Sequence, residues 1–89
     1  MTQAPDPQPG HYYVSVIDGG RRGLIAGPWP THAEALAAVD TVRAIACDVE
    51  PRAHFYAFGT ARYDKSLTPV AGALNCELVH RLGWSLPVR

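Results

Sequence analysis

The side chains able to do chemistry are few and scattered. The four histidines, His11, His32, His54 and His80, match no metal-ligand spacing. Cys76 and His80 are four apart, with Glu77 beside the cysteine. On a helix that spacing puts a thiolate and an imidazole one turn apart, which suits zinc, but a zinc site needs three or four ligands. Cys47 or His54 would complete it only if the fold happened to bring them there. A Cys/His nucleophilic pair needs a base held against the thiol, and no motif flanks either cysteine. Ser15 falls within a strand-like run, and no G-x-S-x-G elbow surrounds any serine. Gly19, Gly20 and Gly23 cluster at a hairpin rather than at a strand-to-helix turn, so they do not read as a phosphate cradle. The expectation is a non-enzymatic chain with no metal and no cofactor.

Composition narrows the partners. Eight basic residues balance eight acidic ones, so the chain has no long-range attraction for nucleic acid or anionic lipid. Hydrophobic residues make up 47% and charged residues 18%, which fits one globular domain and not a disordered chain. No apolar run approaches about 20 residues, so no membrane span is expected. The first ten residues, MTQAPDPQPG, show neither the positive charge nor the apolar core of a secretory signal. A cytoplasmic location with reduced thiols at Cys47 and Cys76 is the corresponding expectation.

The elements that would position these groups are legible in the hydrophobic pattern. Residues 1–10 carry Pro5, Pro7 and Pro9 and read as an extended leader. His11 to Ile17, HYYVSVI, is rich in β-branched and aromatic residues and predicts a strand. Tyr12, Val14 and Val16 share one face of it; His11, Tyr13, Ser15 and Ile17 share the other. Asp18-Gly19-Gly20 supplies a turn, and Arg22 to Gly27 returns as a second strand. Thr31 is a good N-cap, with Glu34 three residues later completing a capping box. Ala35, Ala38, Val39, Val42, Ile45, Ala46 and Val49 repeat near 3.6, so a helix should run from there to Val49 or Glu50, where Pro51 stops it. Asp40 and Arg43 are three apart and could pair. Ala53 to Gly59 predicts a third strand, with His54, Tyr56 and Phe58 on one face and Phe55 and Ala57 on the other. Gly59 to Ser66 reads as a loop. Thr68-Pro69 looks like the start of a second helix carrying Val70, Ala71, Leu74, Leu78 and Leu82, ended by Gly83, with Trp84 anchoring the tail.

The expected class is α+β: a small three-stranded, mainly antiparallel sheet in β-β-α-β order over 11–66, with a C-terminal helix and tail over 67–89. The first strand should lie in the centre, and the crossover should be right-handed. Arginine and tyrosine dominate binding energy at protein interfaces. Arg21 and Arg22 at the hairpin tip, with Tyr13, Tyr56 and Arg62, are therefore the expected partner-binding residues. The aromatic face of the sheet has three readings: covered by the last helix, a protein-partner surface, or a stacking platform for bases. Tyr56 and Phe58 lack the pattern around them that RNA-stacking sheets carry. A homodimer through the open face or an edge strand is a further alternative.

Two resemblances follow from these motifs. Tyr12 to Val16, YYVSV, with G-P-W-x-x-x-x-E-A-x-x-A over Gly27 to Ala38, is similar to the first half of a SPOR peptidoglycan-binding domain. The paired second half of that domain has no counterpart here. Tyr13 to Arg62 also resembles a group of small proteins carried by phages, plasmids and integrative elements of GC-rich proteobacteria. The shared features are Tyr13-Val14 with Asp18-Gly19, Gly27-Pro28 with Thr31-His32 and Glu34-Ala35-Leu36, and Pro51 to Thr60. Glu50 stands where that group has aspartate. Type I anti-CRISPR inhibitors are of this size and setting. The resemblance implies a protein-binding inhibitor that occludes a bacterial effector complex, and the neutral charge implies blocking rather than mimicry of DNA.

Overall fold

Thr31 opens the one long helix as its pattern predicts. Its hydroxyl accepts a hydrogen bond from the Glu34 amide at 3.2 Å, and the helix, α1, runs over His32–Val49. The computed structural model describes residues 10–63 and 70–88. Before α1 come β1 (His11–Asp18) and β2 (Arg21–Trp29), and after it a 3-10 turn (Pro51–Phe55), β3 (Ala57–Tyr63) and α2 (Asn75–Leu82). The sheet order is β2-β1-β3, with both pairings antiparallel, so β1 is central as expected. The class is α+β.

One face of the sheet makes the core. Val14, Ala26, Ala38, Val42 and Leu78 are all buried together, with Ile25, Phe58, Trp84 and Leu86 packed around them. The face bearing Tyr12, Val14 and Val16 therefore meets α1, and α2 adds Leu78 from the same side. The helix stripe is buried at Ala35, Ala38, Val42 and Ala46, but Val49 at its end is 42% exposed. Arg43 lies over the Phe58 ring, 5.8 Å from its centroid, rather than pairing with Asp40.

The third strand starts later than its composition suggests. Pro51 is the first residue of a 3-10 turn, and the Glu50 carboxylate caps that turn by accepting from the Arg52 amide at 3.1 Å. Ala53 to Tyr56 is consumed in closing the turn, through Tyr56 N–H to Ala53 C=O at 3.1 Å. The strand instead takes in Gly59 to Tyr63, where the polar composition predicts a loop. Phe58 pairs with Val16 on the helix face and Ala57 with Ile17 on the opposite face, while Phe55 lies outside the sheet.

The last element is shorter than its periodicity suggests. Thr68 and Pro69 lie outside the described residues. Residues 72–74 do not coil but pair with the outer edge of β2: Gly72 N–H to Gly27 C=O at 3.3 Å, Ala73 N–H to Leu24 C=O at 3.1 Å, Leu74 N–H to Ile25 C=O at 2.7 Å. A strand edge with unmet carbonyls competes for the same amides that a helix would use. Only Asn75–Leu82 is helical, and Gly83 ends it in the left-handed conformation at φ 68°. Trp84 anchors the tail as expected, edge-to-face on Trp29 with centroids 6.1 Å apart. Arg81 ties α2 to α1, donating to Asp48 at 2.5 Å and to Glu77 at 2.9 Å.

Asn75 locks this arrangement. It is 1% exposed, accepts from the Gly27 amide at 3.0 Å, and donates to the Gly27 carbonyl and, at 2.8 Å, to the Pro87 carbonyl. One side chain thus joins β2, α2 and the tail.

Candidate protein-binding surface

The five residues expected at a partner site do not share a surface. Arg21 and Arg22 are exposed at the turn between β1 and β2. Tyr13 is fully buried: its hydroxyl donates to the Val70 carbonyl at 2.6 Å, and its ring meets Tyr63 edge-on at 5.5 Å. Tyr56 is half-buried on the helix side, beside Val16, Ala46, Ala53 and Leu74. Arg62 is exposed but pairs with Tyr12, near the start of β1. Tyr12 and Asp18, which pairs with Arg21, are six residues apart, about 20 Å along an extended strand.

A different set gathers round the two tip arginines. The register lays Arg22, Ile17 and Ala57 in one row across the open face, and Leu24, Ser15 and Gly59 in the next. Ile17 is 42% exposed, and among the described residues no atom lies within 4 Å of where a side chain on Gly59 would begin. The 3-10 turn abuts the same end, because Arg52 pairs with Asp18 at 3.6 Å. That pair is open to solvent on both sides and contributes little to stability. Beyond it stands Phe55, 88% exposed. The hairpin end therefore combines Ile17 and Ala57 with Arg21, Arg22 and Arg52, and Phe55 lies in the turn that carries Arg52, two residues before Ala57. A groove of about 630 Å³ continues the surface, lined by Arg22, Leu24, Tyr63, Val70 and Cys76.

The exposure of Phe55 does not follow from a strand over Ala53 to Gly59, because alternation assigns every residue of a strand to a face. The available signal was Glu50-Pro51, a capping carboxylate before a proline at the first helical position. Read that way, the four residues after Pro51 form a turn whose outer side has nothing to pack on.

Other chemistry is sparse here. Among the described residues no three His, Cys, Asp or Glu side chains cluster to hold a metal ion, and both thiols are free. No helix of the described residues is long and apolar enough to cross a membrane. A second groove, about 590 Å³, lies between Trp29, Trp84, Pro30, Glu34 and Leu86, where the tail crosses α1.

The Tyr13 phenol is pushed above its ordinary value near 10, first by burial and further by the neighbouring Tyr63. Its hydrogen bond to Val70 exists only while the phenol is protonated. A raised folded-state value means that the stability Tyr13 contributes is complete below pH 10 and is lost as pH rises through that higher value. Alkaline denaturation should thus begin above pH 10, and Tyr13→Phe should flatten that limb while costing about 1 kcal/mol at neutral pH. Urea midpoints between pH 8 and pH 11 measure both, and parallel curves for the two proteins would contradict the assignment.

No known protein family matches the chain, and neither does any curated protein or solved structure.

Proposed function

We propose that this chain is a small, non-enzymatic protein-binding factor that docks through the hairpin end of its open sheet face. The observation that carries this reading is Phe55. An aromatic ring 88% exposed, in the turn whose Arg52 reaches Asp18 at the hairpin end that carries Arg21 and Arg22, has the anatomy of an interface anchor with strong donors on the same end of the sheet. The apolar row of Ile17 and Ala57 extends the contact, and the arginines favour a partner with acidic groups at its rim. The finer form of the reading is occlusion of a type I CRISPR effector complex by a mobile-element protein. The mobile-element part rests on the motif resemblance over residues 13–62, and the CRISPR part on the size and setting of such proteins.

The test uses tagged protein to capture its partner from a lysate of a CRISPR-bearing bacterium, with and without nuclease. Phe55→Ser and Arg21→Glu/Arg22→Glu serve as the comparison. Phe55 is so exposed that its substitution should leave the melting temperature in place, within about 0.5 kcal/mol of stability. Loss of an anchor of this kind weakens binding by about 30-fold or more. A nuclease-resistant partner lost from both variants supports the reading, and its identity decides the finer form. A partner retained by both variants overturns the surface. A nuclease-sensitive partner, with affinity falling steeply with salt, replaces it with base stacking on Phe55 and phosphate contacts by the arginines.

A further inference from the structure

The two edges of the sheet are treated differently. The outer edge of β2 is closed by the backbone bonds from residues 72–74. Among the described residues no backbone group bonds to the outer edge of β3. Natural edge strands are usually blunted by proline, lysine, a bulge or brevity. β3, AFGTARY, is seven residues long with no proline and no lysine, and its pairing with β1 runs without a register shift from Ala57 to Tyr63.

We infer that two copies of this chain pair through the outer edges of β3, antiparallel about a two-fold axis at Thr60. This goes beyond the proposed docking surface and does not depend on it. The strand is self-complementary about that axis. Phe58 faces the partner's Arg62, an aromatic ring opposite a guanidinium, in a molecule where Phe58 already accepts Arg43 on its ring. Ala57 faces the partner's Tyr63, a small residue opposite a large one, and Gly59 faces the partner's Ala61. Arg62 is the only charge in the strand, and the pairing keeps it away from its own copy. A formal net charge of zero leaves no long-range repulsion between copies. Above the strand, His32 is hydrogen-bonded to Thr60 at 2.9 Å, so this flank of α1 overhangs β3. Leu36, one helical turn on, is half-exposed, and the two-fold axis brings it towards its counterpart. The product is a six-stranded sheet with both open faces on one side. Its two Phe55 surfaces lie at opposite ends, more than about 20 Å apart by strand rise, so one partner bearing two sites would be held by both.

An interface of one strand and one helix flank belongs at the weak end of specific association. The mass should therefore be followed by light scattering from about 10 µM to about 1 mM. The expected result is a rise from 9.6 kDa towards twice that value, with slower amide exchange in β3 at the higher concentration. In Gly59→Lys/Ala61→Lys, lysines from the two copies would stand directly opposite one another, and the mass should stay monomeric. A 9.6 kDa mass throughout overturns the inference. So does a dimer that survives the double-lysine change. Were that variant to fold poorly, amide exchange on the unaltered chain still decides, because β3 protection independent of concentration also overturns it.

Discussion

Gly72→Ala should lower stability by roughly 3 kcal/mol, within the range of severe overpacking, and the melting temperature by more than about 10 °C. A Cβ built on Gly72 would stand 2.6 Å from both the nitrogen and the Cα of Ala26 and 2.7 Å from the carbonyl carbon of Ile25. All three atoms are backbone, in a strand that is also paired with β1. None can move by rotating a side chain. Relief requires that residues 72–74 back away from β2, which breaks the three bonds closing its edge and draws Leu78 out of the core. Gly59→Ala is the matched control. Among the described residues nothing lies within 4 Å of its Cβ, and its φ is not positive, so reduced freedom of the unfolded chain should leave it neutral or more stable by about 0.5 kcal/mol. Urea denaturation of the two variants side by side measures the contrast; equal midpoints would show that the 72–74 contact is not what holds the C-terminal segment.

Asn75→Ala should be as damaging or more so. The side chain is 1% exposed and satisfies the Gly27 amide, the Gly27 carbonyl and the Pro87 carbonyl together. Alanine leaves the buried Gly27 amide without a partner, the Gly27 carbonyl with only the 3.3 Å bond from Gly72, and the Pro87 carbonyl to find water. The orphaned buried amide costs about 1–3 kcal/mol and the two lost carbonyl bonds about 1 kcal/mol each, so a loss of about 3 kcal/mol is expected, a large share of the stability of a domain this small. Asn75→Asp separates this network from simple packing, because the two side chains have nearly the same shape. At neutral pH a carboxylate would face two carbonyl oxygens with no donor to offer them. Burial raises the pKa of such a carboxyl above its unfolded value, so the protonated acid, which regains one donor, forms more readily in the folded state. The aspartate variant should therefore lie closer to the parent in stability at pH 4 than at pH 7. Thermal melts at both pH values test this, and a variant equally impaired at both would point to shape rather than hydrogen bonding.

These two residues mark where the sequence stopped being legible. The helix α1 was readable at both ends because its signals are local: a capping threonine, an apolar period and a proline. The hairpin and the central place of β1 were readable for the same reason. Gly72 and Asn75 interrupt the helical period that Val70, Ala71, Leu74, Leu78 and Leu82 set up, and both are poor helix formers. Each is instead specified by β2, more than forty residues earlier, and no local rule carries that distance. The shift of β3 arose from a competition that was local but close. Pro51 and the Glu50 carboxylate together favour a turn, while the aromatics of Phe55 to Phe58 favour a strand. The candidate surface was half visible. The arginines of the hairpin tip followed from the turn, but the burial of Tyr13 depends on Val70, and the exposure of Phe55 depends on the turn that displaced it.

The edge-to-face pair of Trp29 and Trp84 has an optical consequence. They are the chain's two tryptophans, one on β2 and one on the tail beyond α2. Indole emission from this protein therefore reports a single junction, the seat of the tail against the body. Should the tail lift while the sheet stays intact, the emission spectrum would shift to the red with the far-ultraviolet circular dichroism unchanged. Global unfolding would move both signals together. The molecule carries its own fluorophore at the seam where partial opening would begin.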